Sequence, residues 1–270
     1  MGIVSADLAR PAAAEGDEVS ASARPRNGGP RGKADLHIHS LYSDGTASVA
    51  AILDWVEQAT DLDLVAITDH ERIDGALRAR ELHAAGNYHF DLAVGEEITT
   101  RRGHLLALFV EKRIPALRPL AETVERIHDA GGIAVAPHSM APLTPSLGAG
   151  SLKELHEDPK PVRHLDAIEL INPSAAGRAR HGARRRLNAQ LLQLPGIGAS
   201  DAHILEGIAT AWTWFPGITA AEFREALANA QLEPAGAHWS TWHNVDVYRR
   251  QLVAKARHLR HAIARSEEWR

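Results

Sequence analysis

The residues with the clearest chemical potential are two histidines one residue apart, His37 and His39, in the stretch KADLHIHSLYSDGT. Apolar and polar residues alternate around them, which is typical of a β-strand. Side chains at positions i and i+2 of a strand lie on the same face, so the two imidazoles should project together. Such a pair is able to bind one metal ion, although histidine pairs without a metal are also common.

Similar side chains stand at one end of nearly every other strand-like run. If the runs form a parallel barrel, these ends converge on its C-terminal face, where barrel enzymes carry their active sites. The sequence has no cysteine, so any metal must be bound through nitrogen and oxygen atoms. The residues at these ends are Asp69, His70, Glu96, Glu97, His104, His138, Asp201 and His203.

His104 differs from the others because it begins a run. The link over residues 99–103 is too short for a crossover helix. We therefore expect a hairpin that brings His104 back beside Glu97.

The elements that must position these residues follow an α/β pattern. Short β-like runs recur over residues 33–235, and helical patterns separate most of them. Helical spacing is found over residues 49–56 and 120–127, and Thr219 with Glu222 predicts a capping box at the start of a further helix. The seven runs are ADLHIHS, LDLVAITDH, HFDLAVGEEIT, GHLLALFV, GIAVAPHS, DAIELIN and GIGASDAH.

Three regions follow from this pattern. Residues 1–32 are rich in Ala, Pro, Gly, Ser and Arg without a period, which predicts a disordered tail. Residues 33–235 form the α/β region, and residues 236–270 predict an amphipathic C-terminal helix packed on the barrel or on a second subunit. The Arg-rich face of this helix is interpreted as solvated rather than as a nucleic-acid surface.

The overall composition restricts the partners. A formal net charge of −4 leaves no global basic field, which argues against broad nucleic-acid binding. No apolar run approaches the ~20 residues of a membrane helix, and the N-terminus lacks the apolar core of a secretory signal. We expect a cytoplasmic protein without a membrane partner.

The ordered motifs DLHIHS, SDGT, AITDH, GEEI, GHLLAL, PH and ASDAH resemble those of the PHP (polymerase and histidinol phosphatase) metal-dependent phosphoesterases. The resemblance covers roughly residues 33–235 and implies a distorted (β/α)7 TIM-like barrel that binds up to three metal ions. The implied ligands are His37, His39 and Asp201 for a first metal, Glu97 as a bridge to a second held by His104 and His138, and Asp44, His70 and His203 for a third.

A carboxylate suits the bridging position because its two oxygens can bind two cations, whereas a neutral imidazole has one free nitrogen. Glu96 alternates with Glu97, so it should point to the opposite face and have a supporting or structural role. Asp69 is expected to orient His70 by accepting its second ring N–H.

These features predict a phosphoesterase that hydrolyses small phosphate monoesters of the nucleotide or histidinol-phosphate type. Two to three divalent ions (Zn, Mn or Fe) would activate water and neutralise the phosphoryl oxygens, so no side-chain nucleophile is needed. Asp201, His203 or a metal-bound water would protonate the leaving oxygen. Arg178 and Arg184 are candidates for bidentate phosphate binding.

Two alternatives stay open. A phosphodiesterase, such as a nuclease for short oligonucleotides, would use the same metals but requires an open basic groove. A non-catalytic regulatory module would show no turnover. The lack of a basic excess favours the small ester, whereas a basic C-terminal helix at the active-site mouth would favour the nuclease; the same helix is also a candidate for homo-oligomerisation.

Overall fold

The computed structural model describes residues 29–253, except for residues 143, 241 and 243. Most of the predicted tail over residues 1–32 and the last part of the predicted helix over residues 236–270 lie outside the described residues. The strands are β1 (Arg31–Ile38), β2 (Leu64–Ile67), β3 (Asp91–Thr99), β4 (His104–Leu108), β5 (Ile133–Ala136), β6 (Ala167–Ile171), β7 (Gly196–Gly198), β8 (Ala211–Pro216) and β9 (Glu233–Gly236). The helices are α1 (Val49–Ala59), α2 (Asp74–Ala85), α3 (Leu120–Asp129), α4 (Ala149–His156), α5 (Ala175–Ala179), α6 (His181–Leu187) and α7 (Ala220–Ala228).

The strands form one sheet in the order β7-β6-β5-β4-β3-β2-β1-β8-β9. Neighbouring strands from β1 to β3 and from β5 to β7 are parallel, whereas β4 is antiparallel to both β3 and β5. The sheet curves so that the segment after β7 reaches the end of β1: the His39 amide donates to the Ala202 carbonyl (2.8 Å), and the Ala202 amide donates to the His37 carbonyl (3.2 Å).

The predicted α/β barrel is therefore confirmed. All seven predicted runs form strands, and β4 reverses direction as the short 99–103 link predicted. The described residues form nine strands, two more than the seven βα units implied by the resemblance, because β8 and β9 add an antiparallel pair beside β1.

The predicted helices form where the apolar spacing allows one face to be buried. In α1, Val49, Ile52, Leu53 and Val56 are buried, and the Ser48 side chain accepts the amide N–H of the first turn. The helix over residues 120–127 is α3, and the predicted capping box of Thr219 and Glu222 is present at α7. These helices cover the outside of the barrel and bury its apolar side chains.

The chain after β9 returns to the barrel. Residues 244–253 are helical, and Val247 packs in a buried cluster with Ile204 and Trp239. The part of the predicted C-terminal helix that is described thus lies on the barrel. Among the described residues, no helix is long and apolar enough to cross a membrane.

Candidate metal centre

The structure brings all nine predicted ligand residues together at one end of the barrel. His37 lies in β1, His39 follows it, and Glu97 lies in β3. His104 begins β4 beside Glu97, as predicted. The other five follow strands: Asp44 after β1, His70 after β2, His138 after β5, and Asp201 and His203 after β7.

Their donor atoms form four overlapping groups, in each of which the ligand atoms lie within 4.8 Å of one another. One group equals the ligand set implied for a first metal, and another contains the whole set implied for a third. Glu97 occurs in two groups, one with His138 and the other with His104, so no single group contains the whole set implied for a second metal. The groups are His37, His39 and Asp201; His39, Asp44, His70 and His203; His37, Glu97 and His138; and His70, Glu97 and His104.

Glu97 is the centre of this arrangement, with 1% of its surface exposed. Its Oε1 lies 2.8 Å from Nδ1 of His104 and 3.0 Å from Nε2 of His138. Its Oε2 lies 3.2 to 3.3 Å from ring nitrogens of three further histidines, which are His37, His39 and His70. Two oxygens that face separate imidazole sets are the arrangement a bridging carboxylate requires.

Two aspartates extend the cluster towards the cavity. Asp201 Oδ1 lies 3.3 Å from Nε2 of His39 and 3.4 Å from Nε2 of His37. Asp44 Oδ1 lies 3.2 Å from Nε2 of His203. Both carboxylates therefore face imidazole nitrogens of the same cluster.

The donor atoms fit a divalent transition metal. His39 Nε2 is buried and makes no hydrogen bond of good geometry within the described chain, although oxygens of Glu97 and Asp201 each lie 3.3 Å away. Buried polar atoms normally have partners, and a bound cation would provide one for this nitrogen. Imidazole and carboxylate donors suit Zn, Mn and Fe.

The charges of the cluster balance one another. Burial alone would lower the pKa of His37, but Asp201, Glu97 and Glu169 raise it well above its ordinary value. Burial would also lower the pKa of His39, but Asp201 and Glu97 raise it to about 10. Protons on these imidazoles therefore offset the carboxylate charge when no cation is bound, and a metal would have to displace them.

Glu169 contacts the candidate ligands, although the sequence did not predict it. Its side chain is fully buried in β6. Its Oε1 lies 2.7 Å from Nδ1 of His37, and its Oε2 accepts the His138 amide (2.6 Å) and the Asn172 side-chain amide (3.1 Å). A carboxylate on the second ring nitrogen orients a metal-binding histidine. The available signal was an acidic residue inside the apolar run DAIELIN.

Asp69 has a different role from the one predicted. Its carboxylate accepts hydrogen bonds from the Ser40 amide (2.8 Å), the Ser40 hydroxyl (2.6 Å) and the Ser43 hydroxyl (2.6 Å). The expected orientation of His70 by Asp69 is wrong, because the His70 ring nitrogens face other carboxylates: Nδ1 lies 3.3 Å from Glu97 Oε2 and Nε2 lies 3.8 Å from Asp44 Oδ1. Asp69 instead holds the turn over residues 40–46 that presents Asp44.

The glycine of the SDGT motif explains the shape of that turn. A Cβ on Gly45 would lie 2.3 Å from the carbonyl oxygen of His39, far inside van der Waals contact. The Gly45 amide also donates to the Ser40 carbonyl (3.0 Å). Only glycine therefore allows the turn to fold back onto the end of β1.

Glu96 points away from the cluster, as the alternation predicted. It accepts the amide hydrogen of Ile114, and burial raises its pKa to about 7. Glu97, one residue later, has its pKa held well below its usual range because the attraction of His70 and His37 exceeds the opposing effect of burial.

Two candidate ligands also have unusual backbone conformations. His138 has φ 25° and Asp201 has φ 53°, both in the left-handed region that residues with a side chain rarely adopt. Such conformations persist where the surrounding structure imposes them. Here they turn both side chains into the cluster.

A cavity of about 690 Å³ opens above the cluster. Asp44, His70, Glu97, Asp201 and His203 of the cluster line it. The lining also includes Val247, Tyr248, Gln251 and Leu252 of the helical segment 244–253, which we call the helical wall. Among the described residues that line this cavity, none is a lysine or an arginine.

The predicted phosphate-binding arginines lie elsewhere. Arg184 is fully buried, and its guanidinium donates to the carbonyls of Ser139 (2.9 Å), Gly177 (3.0 Å) and Leu170 (3.3 Å). Arg178 is exposed on α5 and does not line the cavity. Arg184 therefore joins the loops after β5 and β6, a structural role that its place in an Arg-rich stretch does not reveal.

The fold and the cluster define a class: a barrel protein whose strand ends carry an imidazole and carboxylate site for divalent metal ions. The PHP-associated family, PHP_C, matches residues 180–232. The chain is 35% identical over 127 residues to the uncharacterized protein MJ1587 of Methanocaldococcus jannaschii, which covers 43% of this chain and 72% of that protein. It is 34% identical over 101 residues to a phosphoribosyl 1,2-cyclic phosphate 1,2-diphosphodiesterase of Eggerthella lenta, which covers 35% of this chain and 37% of that enzyme.

Solved structures share the fold. A two-domain protein of Bacteroides vulgatus that contains a PHP-like metal-dependent phosphoesterase superimposes with a TM-score of 0.63 at 19% identity, over 80% of this chain and 70% of that one. The lesion-specific endonuclease PfuEndoQ of Pyrococcus furiosus does so with a TM-score of 0.51 at 19% identity, over 74% of this chain and 56% of that one. The chain belongs to the PHP domain family.

Proposed function

We propose that this protein hydrolyses small phosphate monoesters, of the nucleotide or histidinol-phosphate type, with two to three divalent ions of Zn, Mn or Fe. The observation that carries this proposal is the cavity. Its volume of about 690 Å³ suits a small molecule, and its described lining offers no cationic side chain to follow a polyanionic strand. Among the described lining residues, the metal cluster would therefore be the site that holds the phosphate.

Bound ions would activate water and neutralise the charge of the phosphoryl group. Glu97 and the surrounding histidines would hold them, and Glu169 would keep the ring of His37 oriented. Attraction by His37 outweighs burial and lowers the pKa of Asp201, so this carboxylate stays ionised, as a ligand must. His203 lines the cavity, but its Nδ1 lies 2.8 Å from the Asp201 carbonyl oxygen, so it would protonate the leaving oxygen through Nε2 and only where that atom does not bind a metal.

A phosphodiesterase is the second candidate, because one relative is named as a cyclic phosphate diphosphodiesterase and one structural neighbour as an endonuclease. A nuclease would need basic side chains at the cavity. On the helical segment, however, Arg249 pairs with Asp246 (2.9 Å) and Arg250 with Glu206 (3.1 Å), and neither arginine lines the cavity. This arrangement favours the small ester.

A side-by-side assay tests the proposal. Full-length protein supplied with Mn, Zn or Fe is incubated with a panel of phosphate monoesters, cyclic phosphodiesters and 5′-labelled oligonucleotides at two salt concentrations. We expect monoester turnover to exceed the others, and the Glu97→Gln variant to lose it. Efficient, salt-sensitive cleavage of oligonucleotides that falls in an Arg249→Gln, Arg250→Gln variant would overturn the monoester proposal, and no turnover with any metal would favour the non-catalytic module.

A further inference from the structure

We propose that the helical segment 244–253 is part of the substrate site, and that Tyr248 and Leu252 bind a flat, largely apolar organic group of the phosphate ester. This inference rests on the proposed function and names its substrate class. It is carried by the lining of one cavity, which contains both the polar metal cluster and the mostly apolar residues of the helical wall.

The helical wall presents one continuous face to the cavity. Val247, Tyr248, Gln251 and Leu252 follow the i, i+1, i+4, i+5 spacing of a single helix face. All four line the same cavity as His70, Glu97 and Asp201. A substrate whose phosphate lies on the cluster would therefore extend its organic part towards this face.

The wall is fixed to the loops that carry the candidate ligands. The Asn244 side chain accepts the Ala175 amide (2.8 Å) after β6, and it donates to the Trp239 carbonyl (3.2 Å). Val247 is 3% exposed and packs with Ile204, one residue after His203. Because these contacts tie the segment to the barrel, the face has a defined position relative to the cluster.

Two side chains of this face remain uncovered. Tyr248 is 47% exposed and Leu252 is 69% exposed, although both border a cavity. Apolar surface that lines a cavity marks a ligand site more often than apolar surface scattered singly over a protein. A flat group stacked on the tyrosine ring would cover both side chains.

The charges of the cavity lining further restrict the class of phosphate ester that would bind. Apart from the cluster, the described lining is neutral or acidic, with Glu71 beside His70. A second phosphate would meet no arginine or lysine there. The site thus fits an ester with one phosphate and an uncharged, flat organic group, such as a nucleoside or an aryl alcohol.

Two esters with the same leaving oxygen test this assignment. Adenosine 5′-monophosphate and ribose 5-phosphate both release a primary alcohol, and they differ in the flat base. We expect the metal-loaded protein to have a higher kcat/KM for the adenosine ester, by about tenfold or more if the base stacks on Tyr248. The Tyr248→Ala variant should remove most of this preference through KM, while turnover of ribose 5-phosphate stays within about threefold of the wild type.

Two variants serve as controls. Tyr248→Phe keeps the flat ring and should keep the preference. Trp242→Ala removes an aromatic side chain that is 83% exposed and does not line the cavity, so it should leave both esters unaffected. Two results would overturn the assignment of the helical wall to the substrate site. One is equal kcat/KM for the two esters in the wild type, and the other is an equal loss of kcat/KM for both esters in the Tyr248→Ala variant.

A calorimetric titration with adenosine separates this inference from the proposed function. If neither ester is hydrolysed but adenosine binds and the Tyr248→Ala variant abolishes binding, the wall assignment stands and the phosphatase proposal falls. If neither ester is hydrolysed and adenosine does not bind, both fall.

Discussion

Glu96 and Glu97 are neighbours in β3 with opposite environments. Glu97 faces the histidine cluster and is kept ionised by it, whereas Glu96 accepts a backbone amide hydrogen on the other face and has a pKa raised by burial. The pleat of the strand alone separates these roles. The effect of each carboxylate can therefore be measured with the same conservative substitution.

We expect Glu97→Gln to lower phosphoesterase activity by about two orders of magnitude or more, because it removes the charge shared between metal sites. Metal content, measured by elemental analysis, should fall with it. Glu96→Gln is the matched control and should be much milder. A reversal of the two effects would place Glu96 rather than Glu97 among the ligands.

Glu169→Gln tests the orienting carboxylate. The variant keeps the side-chain shape but removes the charge 2.7 Å from Nδ1 of His37. We expect metal affinity to fall by about 10- to 100-fold, as measured by competition with a chelating dye. Glu57→Gln, which alters a partly exposed carboxylate paired with His89, should have no effect. Unchanged affinity in Glu169→Gln would show that His37 needs no orienting partner.

The raised histidine pKa values predict a pH dependence of metal binding. Without metal, the protonated forms of His37 and His39 stabilise the fold. This contribution is fully present below their unfolded-state pKa of 6.5, and it is lost as pH rises through the folded-state pKa, which is about 10 for His39. Metal must displace these protons, so its affinity should rise with pH between pH 6 and 9 and binding should release protons. Binding titrations across this range, with an indicator dye for proton release, provide the measurement. A pH-independent affinity would contradict the balance of charges described above.

At the scale of elements, the turn over residues 40–46 carries Asp44 on a geometry that only glycine permits. We expect Gly45→Ala to lower the free energy of unfolding by about 2 kcal/mol and to reduce metal content, because its Cβ would collide with the His39 carbonyl. Thermal or denaturant unfolding measures the first effect, and elemental analysis the second. Gly150→Ala in α4, where an added Cβ meets no atom within 4 Å, should be neutral or slightly stabilising. Equal stability of both variants would refute the account of the turn.

Strong local patterns made most elements predictable. Each apolar run of β1 to β7 predicts one strand, and the spaced apolar residues of α1 and α3 each predict one helix. Helix α2 was missed because its buried face consists of Gly75, Ala76 and Ala79, which are too small to give a hydrophobic period.

The candidate ligands were predictable for a similar reason, since strand ends and ordered motifs mark them. Their partners were not. The contact between Glu169 and His37 joins β6 to β1, and Arg184 reaches carbonyls in the loop after β5, in β6 and in α5. Long-range contacts of this kind depend on the packing of the whole barrel, and no local pattern encodes them.

At the scale of the whole molecule, the overlapping donor groups predict a polynuclear site. We expect about two to three transition-metal ions per chain after purification without chelators, measured by elemental analysis. Removing them with a chelator should lower the melting temperature, because bound metal stabilises the folded state by mass action. Less than one ion per chain, with no activation by added metal, would contradict a multinuclear centre.

The closure of the sheet between β1 and Ala202 also has a consequence for biosynthesis. β1 leaves the ribosome well before Ala202 and β8, and one of its edges pairs only with these later residues. At translation rates of about 5 to 20 residues per second, this edge stays unpaired for on the order of ten seconds or more, a period in which it could pair with another nascent chain. Asp201 and His203 are made just as late. Early metal loading of the nascent chain would meet an incomplete ligand set, which would become complete only after Asp201 and His203 have been made.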